Sequence, residues 1–185
     1  ALTNLEIQFM FENMILRWFS PAKMETNEFV KALINGDVEA MNNYMNDVAL
    51  ETFSNFDTGR RASKRTQPER FYHGFVLGLL VELRDRYQIR SNRESGYGRY
   101  DVMLTPVTEV DDAIVIEFKV HESDEEESLQ DTVRTALDQI KEKNYDAELL
   151  LQGIPADRIR HYGFAFEGKK VLIGQDEIQN VAVRR

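Results

Sequence analysis

Asp101, Glu117 and Lys119 are the residues whose types and spacing could do chemistry together. Two strand-like runs, 98–105 and 113–120, flank a polar segment carrying Pro106, Asp111 and Asp112, which reads as a hairpin. Side chains alternate faces along a strand, so Asp101 shares a face with Arg99 and Met103, and Glu117 with Val115 and Lys119. Closure about Glu109 sets Asp101 opposite Glu117 and Arg99 opposite Lys119, with Cβ atoms about 4.5–5.5 Å apart across a pair. Carboxylates that close repel one another strongly in a low-dielectric setting unless a proton or a cation compensates. The pair asks for a metal. Hard carboxylate oxygens suit magnesium or manganese, completed by waters and substrate phosphates. Lys119 could position or deprotonate an attacking water, or stabilise charge that develops on phosphorus. These are the parts of a metal-assisted phosphodiester hydrolase. Taken alone, Glu-x-Lys on a strand is common by chance, usually as a solvated face.

The elements around these residues sharpen the reading. Ile114, Ile116, Phe118 and Val120 make one apolar face, and Ala113 and Val115 keep the other apolar as far as Glu117. That is the pattern of a central strand covered on both sides, where an acid and an amine are expensive to desolvate unless paired or coordinated. Before the hairpin, apolar periodicity predicts a helix over 69–87 after Pro68, with Glu69 and His73 on one face near its first turn. Gly74 and Gly78, also four apart, suggest close approach of another backbone. A short strand over 89–92 and a glycine turn over 94–98 follow, flanked by Arg93 and Arg99, which could clamp a phosphate bidentately. After the hairpin, the acid cluster at 123–127 suits the start of a helix whose buried stripe is Leu129, Val133, Ala136, Leu137 and Ile140. Strands are expected over 162–166 and 170–173. The run from Gly163 to Lys170 nearly spells a phosphate-binding loop, but Lys170 leads into a strand and no Ser or Thr follows it. It reads as a hairpin at the sheet edge.

At the 98–120 hairpin the sequence resembles the PD-(D/E)XK nuclease superfamily, with Asp101 as the motif Asp and Glu117-Phe118-Lys119 as E-x-K. Tyr100 stands where the motif has Pro. More closely, PERFYHGFVLGLLVEL, SNRESGYGRYDVML, AIVIEFKV and ALDQIKEKNY, in order across roughly residues 27–174, look like the nuclease-like domain found behind AAA-type ATPase domains in many anaerobic bacteria. The resemblance implies an α/β fold: a restriction-endonuclease-like core, with a central mixed sheet flanked by helices in α-β-β-β-α-β order and an α-helical N-terminal extension. It implies a Mg2+- or Mn2+-dependent deoxyribonuclease in which Asp101, Glu117 and Glu69 hold the metal, the Phe118 carbonyl is a further ligand and Lys119 orients the attacking water. Gln139 and Tyr145 match a Gln-x(n)-Tyr pattern of RecB-like members, where the pair places the DNA end. Arg93 and Arg99 join them as substrate contacts.

Zero cysteines exclude disulfides and thiolate zinc sites, and the separated His73, His121 and His161 make no H-x-x-x-H pair. No apolar run approaches the roughly 18–20 residues that span a membrane. These features fit a cytoplasmic protein with 42% hydrophobic and 30% charged residues. The net charge of −9 weighs against nucleic-acid binding, which rests on cation contacts to phosphates. Its distribution answers in part, since 59–100 is predominantly basic and 101–151 heavily acidic.

The expected layout is a helical extension over 1–56 joining a missing upstream domain, a basic loop over 57–68 and a nuclease-like domain over 69–185. Within the extension, helices are predicted over 5–19, from about 27 to 36, and after Asp37. The tail from 175 is polar. Expected partners are DNA and an upstream AAA-type ATPase domain, with homodimerisation allowed and no membrane. The alternative is a catalytically idle module of the same fold that serves the ATPase as a nucleic-acid or protein adaptor.

Overall fold

The computed structural model describes residues 28–53 and 67–176, apart from the side chains of 51–53, 67–71 and Tyr100. The helix expected over 5–19, residues 57–66 of the expected loop and the tail beyond Asp176 lie outside the described residues, while Gln67 and Pro68, expected in that loop, already belong to a helix. Helices α1 (Glu28–Asn35), α2 (Val38–Phe53) and α3 (Gln67–Leu80) come first. Strands β1 (Tyr87–Ser95), β2 (Gly98–Pro106) and β3 (Ala113–Val120) follow, then α4 (Leu129–Glu142) and the short α5 (Ala147–Leu151). Strands β4 (Ile159–Glu167) and β5 (Lys170–Gln175) bring the sheet to five strands among the described residues. The five strands lie in the order β1-β2-β3-β4-β5. Only β3 and β4 are parallel, and the crossover between them carries α4. This is the α/β mixed sheet that the sequence predicts.

Both faces are covered, as the doubly apolar β3 requires. On one face Val102, Leu104, Ile114, Ile116 and Phe118 pack with Phe164 and Phe166 beneath Val76 and Leu79 of α3 and Phe29, Leu33 and Met41 of α1 and α2. On the other, Met103, Ala113, Val115 and Ala165 lie under Val133, Leu137 and Ile140 of α4. The Met and aromatic stripes of α1 and α2 are thus part of the same core as the sheet. Helix α2 also closes the edge of β5. Asn42 accepts from the Ile173 N–H (2.8 Å) and donates to its carbonyl (2.9 Å), and Asn46 does the same at Val171 (3.0 and 2.8 Å). Each side-chain amide replaces a peptide of a missing strand, which removes an edge that would otherwise invite pairing.

Some boundaries differ from expectation. Helix α3 ends at Leu80 and a 3-10 turn, Val81–Leu83, follows, because Tyr87 is buried as the first residue of β1. Helix α4 begins at Leu129, not within 123–127, since Ser128 caps it by accepting from the Asp131 N–H. The preceding acids serve that turn, with Thr132 Oγ1 donating to Glu126 at 2.5 Å. Among the described residues no atom lies within 4 Å of a Cβ at Gly74, so the expected close backbone is not found there. Asp111 and Asp112 clasp the hairpin loop, Asp111 to Arg86 and Asp112 to Arg158 (3.0 Å) and Arg160 (2.6 Å). Among the described residues, no helix is long and apolar enough to cross a membrane.

Candidate active site

The hairpin register places the two acids. Val102 pairs with Ile116, Met103 with Val115 and Leu104 with Ile114, so one further step sets Asp101 opposite Glu117. There the ladder ends and a side chain takes over, because Asp101 Oδ2 accepts the Phe118 N–H at 2.9 Å. The sheet is also interrupted on the other side of Asp101. Its register partner on β1 is Asn92, whose φ of 54° lies in the left-handed region, and pairing passes from Ser91–Val102 directly to Arg93–Tyr100. A left-handed residue inside a strand costs on the order of 1–2 kcal/mol, least for Asn, and such strain collects at functional sites. Asn92 is held by its neighbours: Nδ2 donates to Ser91 Oγ (3.0 Å) and its carbonyl accepts from Arg99 Nε (2.7 Å).

Glu117 is only 4% exposed, beneath α4. One amide there organises three groups. Gln139 Nε2 donates to Glu117 Oε1 and to the Tyr145 hydroxyl (3.0 Å), while Gln139 Oε1 accepts from Lys119 Nζ at 2.7 Å. Lys119 Nζ stands 4.0 Å from Glu117 Oε1, and the Tyr145 hydroxyl donates to the Arg99 carbonyl at 2.7 Å. Helix α4 reaches this depth because Gly163, the β4 partner of Glu117, has no side chain. A Cβ there would stand 2.8 Å from the Val133 carbonyl oxygen.

Burial raises the Asp101 carboxyl above the usual carboxylate range, opposed by the Phe118 N–H and by the charges of His73, Lys119 and Arg99. Burial likewise raises the Tyr145 hydroxyl; the Gln139 hydrogen bond opposes this, and the Glu117 and Asp101 charges add to it. A buried acid whose charge is disfavoured, beside a second acid and an ammonium, is suited to hard-cation binding.

The loop that presents Tyr145 is tied down by a half-buried histidine. His161 Nε2 meets Asp146 Oδ1 at 2.9 Å and Nδ1 meets Asp176 Oδ2 at 3.0 Å, with Lys141 Nζ 2.9 Å from the other Asp176 oxygen. Both ring nitrogens face acceptors, which demands the imidazolium. Burial lowers the His161 pKa, but hydrogen bonds and charge from the two aspartates outweigh it, and the pKa is raised. A raised folded-state pKa stabilises fully below the unfolded value of about 6.5 and is lost as pH climbs through the folded value. Wild-type stability in denaturant titrations is therefore expected to fall as pH rises from about 6.5 through the raised folded value. His161→Gln should remove that slope and lose about 2 kcal/mol at the acid end.

Of the residues expected to form the site, Asp101, Glu117, Lys119, Gln139 and Tyr145 come together. Arg99 is exposed, with its Nε held by Asn92 and its charge acting on Asp101. Arg93 is exposed on β1. Glu69 lies in the first turn of α3, its carboxylate outside the described residues. Two neighbours were not among the expected site residues. His73 Nε2 bonds Ser91 Oγ at 3.0 Å and its ring lies 5.2 Å from that of Phe118, and Asn92 bends β1 beside Asp101. Helical spacing from Glu69 pointed toward His73; nothing in the sequence announces the backbone of Asn92. Among the described residues no group of three or more His, Asp or Glu side chains is placed to hold a metal ion. Asp101 and Glu117 supply two hard oxygen donors of the right chemistry.

A family model for the PD-(D/E)XK nuclease superfamily matches residues 67–176, more than half of the chain. The chain belongs to this superfamily. Searches of curated proteins and of solved structures found no match. The matched span of this PD-(D/E)XK protein holds all five described strands and α3, α4 and α5, and so every residue of the cluster around Glu117. Members of the superfamily are generally nucleases that use divalent metals.

Proposed function

We propose that the protein is a Mg2+- or Mn2+-dependent deoxyribonuclease. The observation that carries this reading is the register of Asp101 with Glu117 at the point where the sheet opens, with Lys119 and Gln139 beside them. Asp101, Glu117, Glu69 and the Phe118 carbonyl would hold the metal. When bound, the ion would polarise a phosphodiester and lower the pKa of an attacking water. The side chains do the rest. Gln139 fixes the Glu117 carboxylate and directs the Lys119 ammonium, and Lys119 orients the water and offsets charge developing on the phosphate. Tyr145, held between Gln139 and the Arg99 carbonyl, forms with Arg99 the side that meets substrate, and Arg93, on the other face of the edge strand β1, would meet it from across that edge. An upstream AAA-type ATPase domain would deliver that substrate.

The test is plasmid nicking by the wild-type protein with magnesium, manganese or chelator, beside Asp101→Asn. Asn keeps an acceptor for the Phe118 N–H and removes the charge, so the fold stays while nicking is expected to fall by at least ~10²-fold. Equal nicking by both proteins would dismiss the assignment. The net charge of −9 favours a second reading, an idle nuclease-fold adaptor for nucleic acid or protein. Metal-independent nucleic-acid binding with no cleavage under any condition would favour that reading.

A further inference from the structure

We infer that the tip of the β1–β2 hairpin is a base-stacking platform that selects nucleic acid with unpaired bases; this rests on the nuclease reading. Tyr97 sits in the two-residue turn between Ser95 and Gly98 and is 82% exposed. An exposed ring on a mobile tip would mean little, but this tip is anchored at three points. The Tyr97 N–H donates to the Lys143 carbonyl at 2.7 Å, at the end of α4. Gly96, with φ of 60°, lies so close that a Cβ would overlap the Lys143 and Asn144 carbonyl oxygens. Ser95 Oγ donates to the Tyr145 carbonyl at 2.7 Å. The backbone under Tyr97 is therefore built into the loop that presents Tyr145, while the ring is left in solvent.

The surroundings fit a phosphate backbone. Exposed Arg99 of β2 stands across from exposed Glu94 of β1, exposed Arg93 projects from the other face of the hairpin, and the stem of exposed Lys143 runs along Gly98, with Glu142 exposed at the end of α4. Three cations against two acids make a modest attraction, as a chain of net charge −9 would show. Stacking supplies affinity that does not depend on counterion release, and a ring held at the surface can stack only on a base that is not enclosed in a duplex. Tyr97 thus favours unpaired bases, in a single strand, at a frayed end or in the unwound segments of a supercoiled plasmid, and leads them toward Asp101 along β2.

The experiment is fluorescence anisotropy with labelled single-stranded DNA, single-stranded RNA and a blunt DNA duplex, in calcium, for wild type, Tyr97→Ala and Tyr97→Phe. Tyr97→Ala is expected to weaken single-strand binding by about 5- to 100-fold and leave the duplex unchanged, while Tyr97→Phe binds like wild type. The DNA and RNA arms distinguish the two sources of unpaired bases. Unchanged single-strand binding by Tyr97→Ala, an equal loss on the duplex, or no single-strand binding by wild type would overturn the inference. The nuclease reading is judged separately, by metal-dependent nicking with wild type alone.

Discussion

Lys119→Ala is expected to lose between about 10²- and 10³-fold in the rate of metal-dependent nicking while unfolding at an unchanged denaturant concentration. Removing one preorganised donor from a site where charge develops on oxygen has a cost of that size, because nothing mobile can replace it at the moment of reaction. The ammonium is preorganised here. Gln139 Oε1 accepts from it at 2.7 Å, and the same amide is locked by Glu117 and the Tyr145 hydroxyl. Stability should change little, because the Lys119 side chain is one-quarter exposed near the end of β3. Lys119→Arg should not restore activity, since a planar guanidinium cannot occupy the position of a compact ammonium. Rates are read on supercoiled plasmid with wild type in parallel, and a Lys119→Ala protein that nicks as fast as wild type contradicts the role.

Gly96→Ala carries the largest expected effect on the fold, a loss of about 3 kcal/mol in denaturant titration. Two costs combine. A residue with a Cβ at φ of 60° is strained by roughly 1–2 kcal/mol. The Cβ would also overlap the Lys143 and Asn144 carbonyl oxygens, and relief means lifting the hairpin from the end of α4 with the Tyr97 to Lys143 hydrogen bond. Gly168→Ala separates the terms. Gly168 has a similar φ of 57° and nothing near its Cβ position, so it should lose only about 1 kcal/mol. If the two substitutions are equally costly, the hairpin is not seated on α4 as described. Gly96→Ala should also slow nicking, because the lifted tip carries Arg99, whose carbonyl holds the Tyr145 hydroxyl.

The strands around the site were legible because their alternation was unusually clean. Ala113, Val115 and Glu117 against Ile114, Ile116 and Phe118 determine both the strand and its two covered faces, and the turn signals around Glu109 yield the observed register. Gln139 and Tyr145 were found through family resemblance, since a Gln beside an apolar helical stripe says nothing by itself. What the sequence hid was set by tertiary contacts. The role of α1 and α2 in the core depends on Phe29, Leu33 and Met41 meeting Phe164 and its neighbours, more than a hundred residues away. The closing of the β5 edge by Asn42 and Asn46 depends on a helix lying against a strand with no local mark of it. The bend at Asn92 came from no pattern, because Asn in a strand is ordinary until its φ is known. The Gly74 expectation failed for the opposite reason: a glycine on a helix face can simply be exposed.

In the proposed nuclease, Asp101 and Glu117 share a divalent ion. A crystal soaked in manganese and measured for anomalous scattering tests it most directly. An anomalous peak in contact with both carboxylates is expected, lost in Asp101→Asn; a soaked wild-type crystal with no peak between them, or with manganese only elsewhere, would rule out the shared ion.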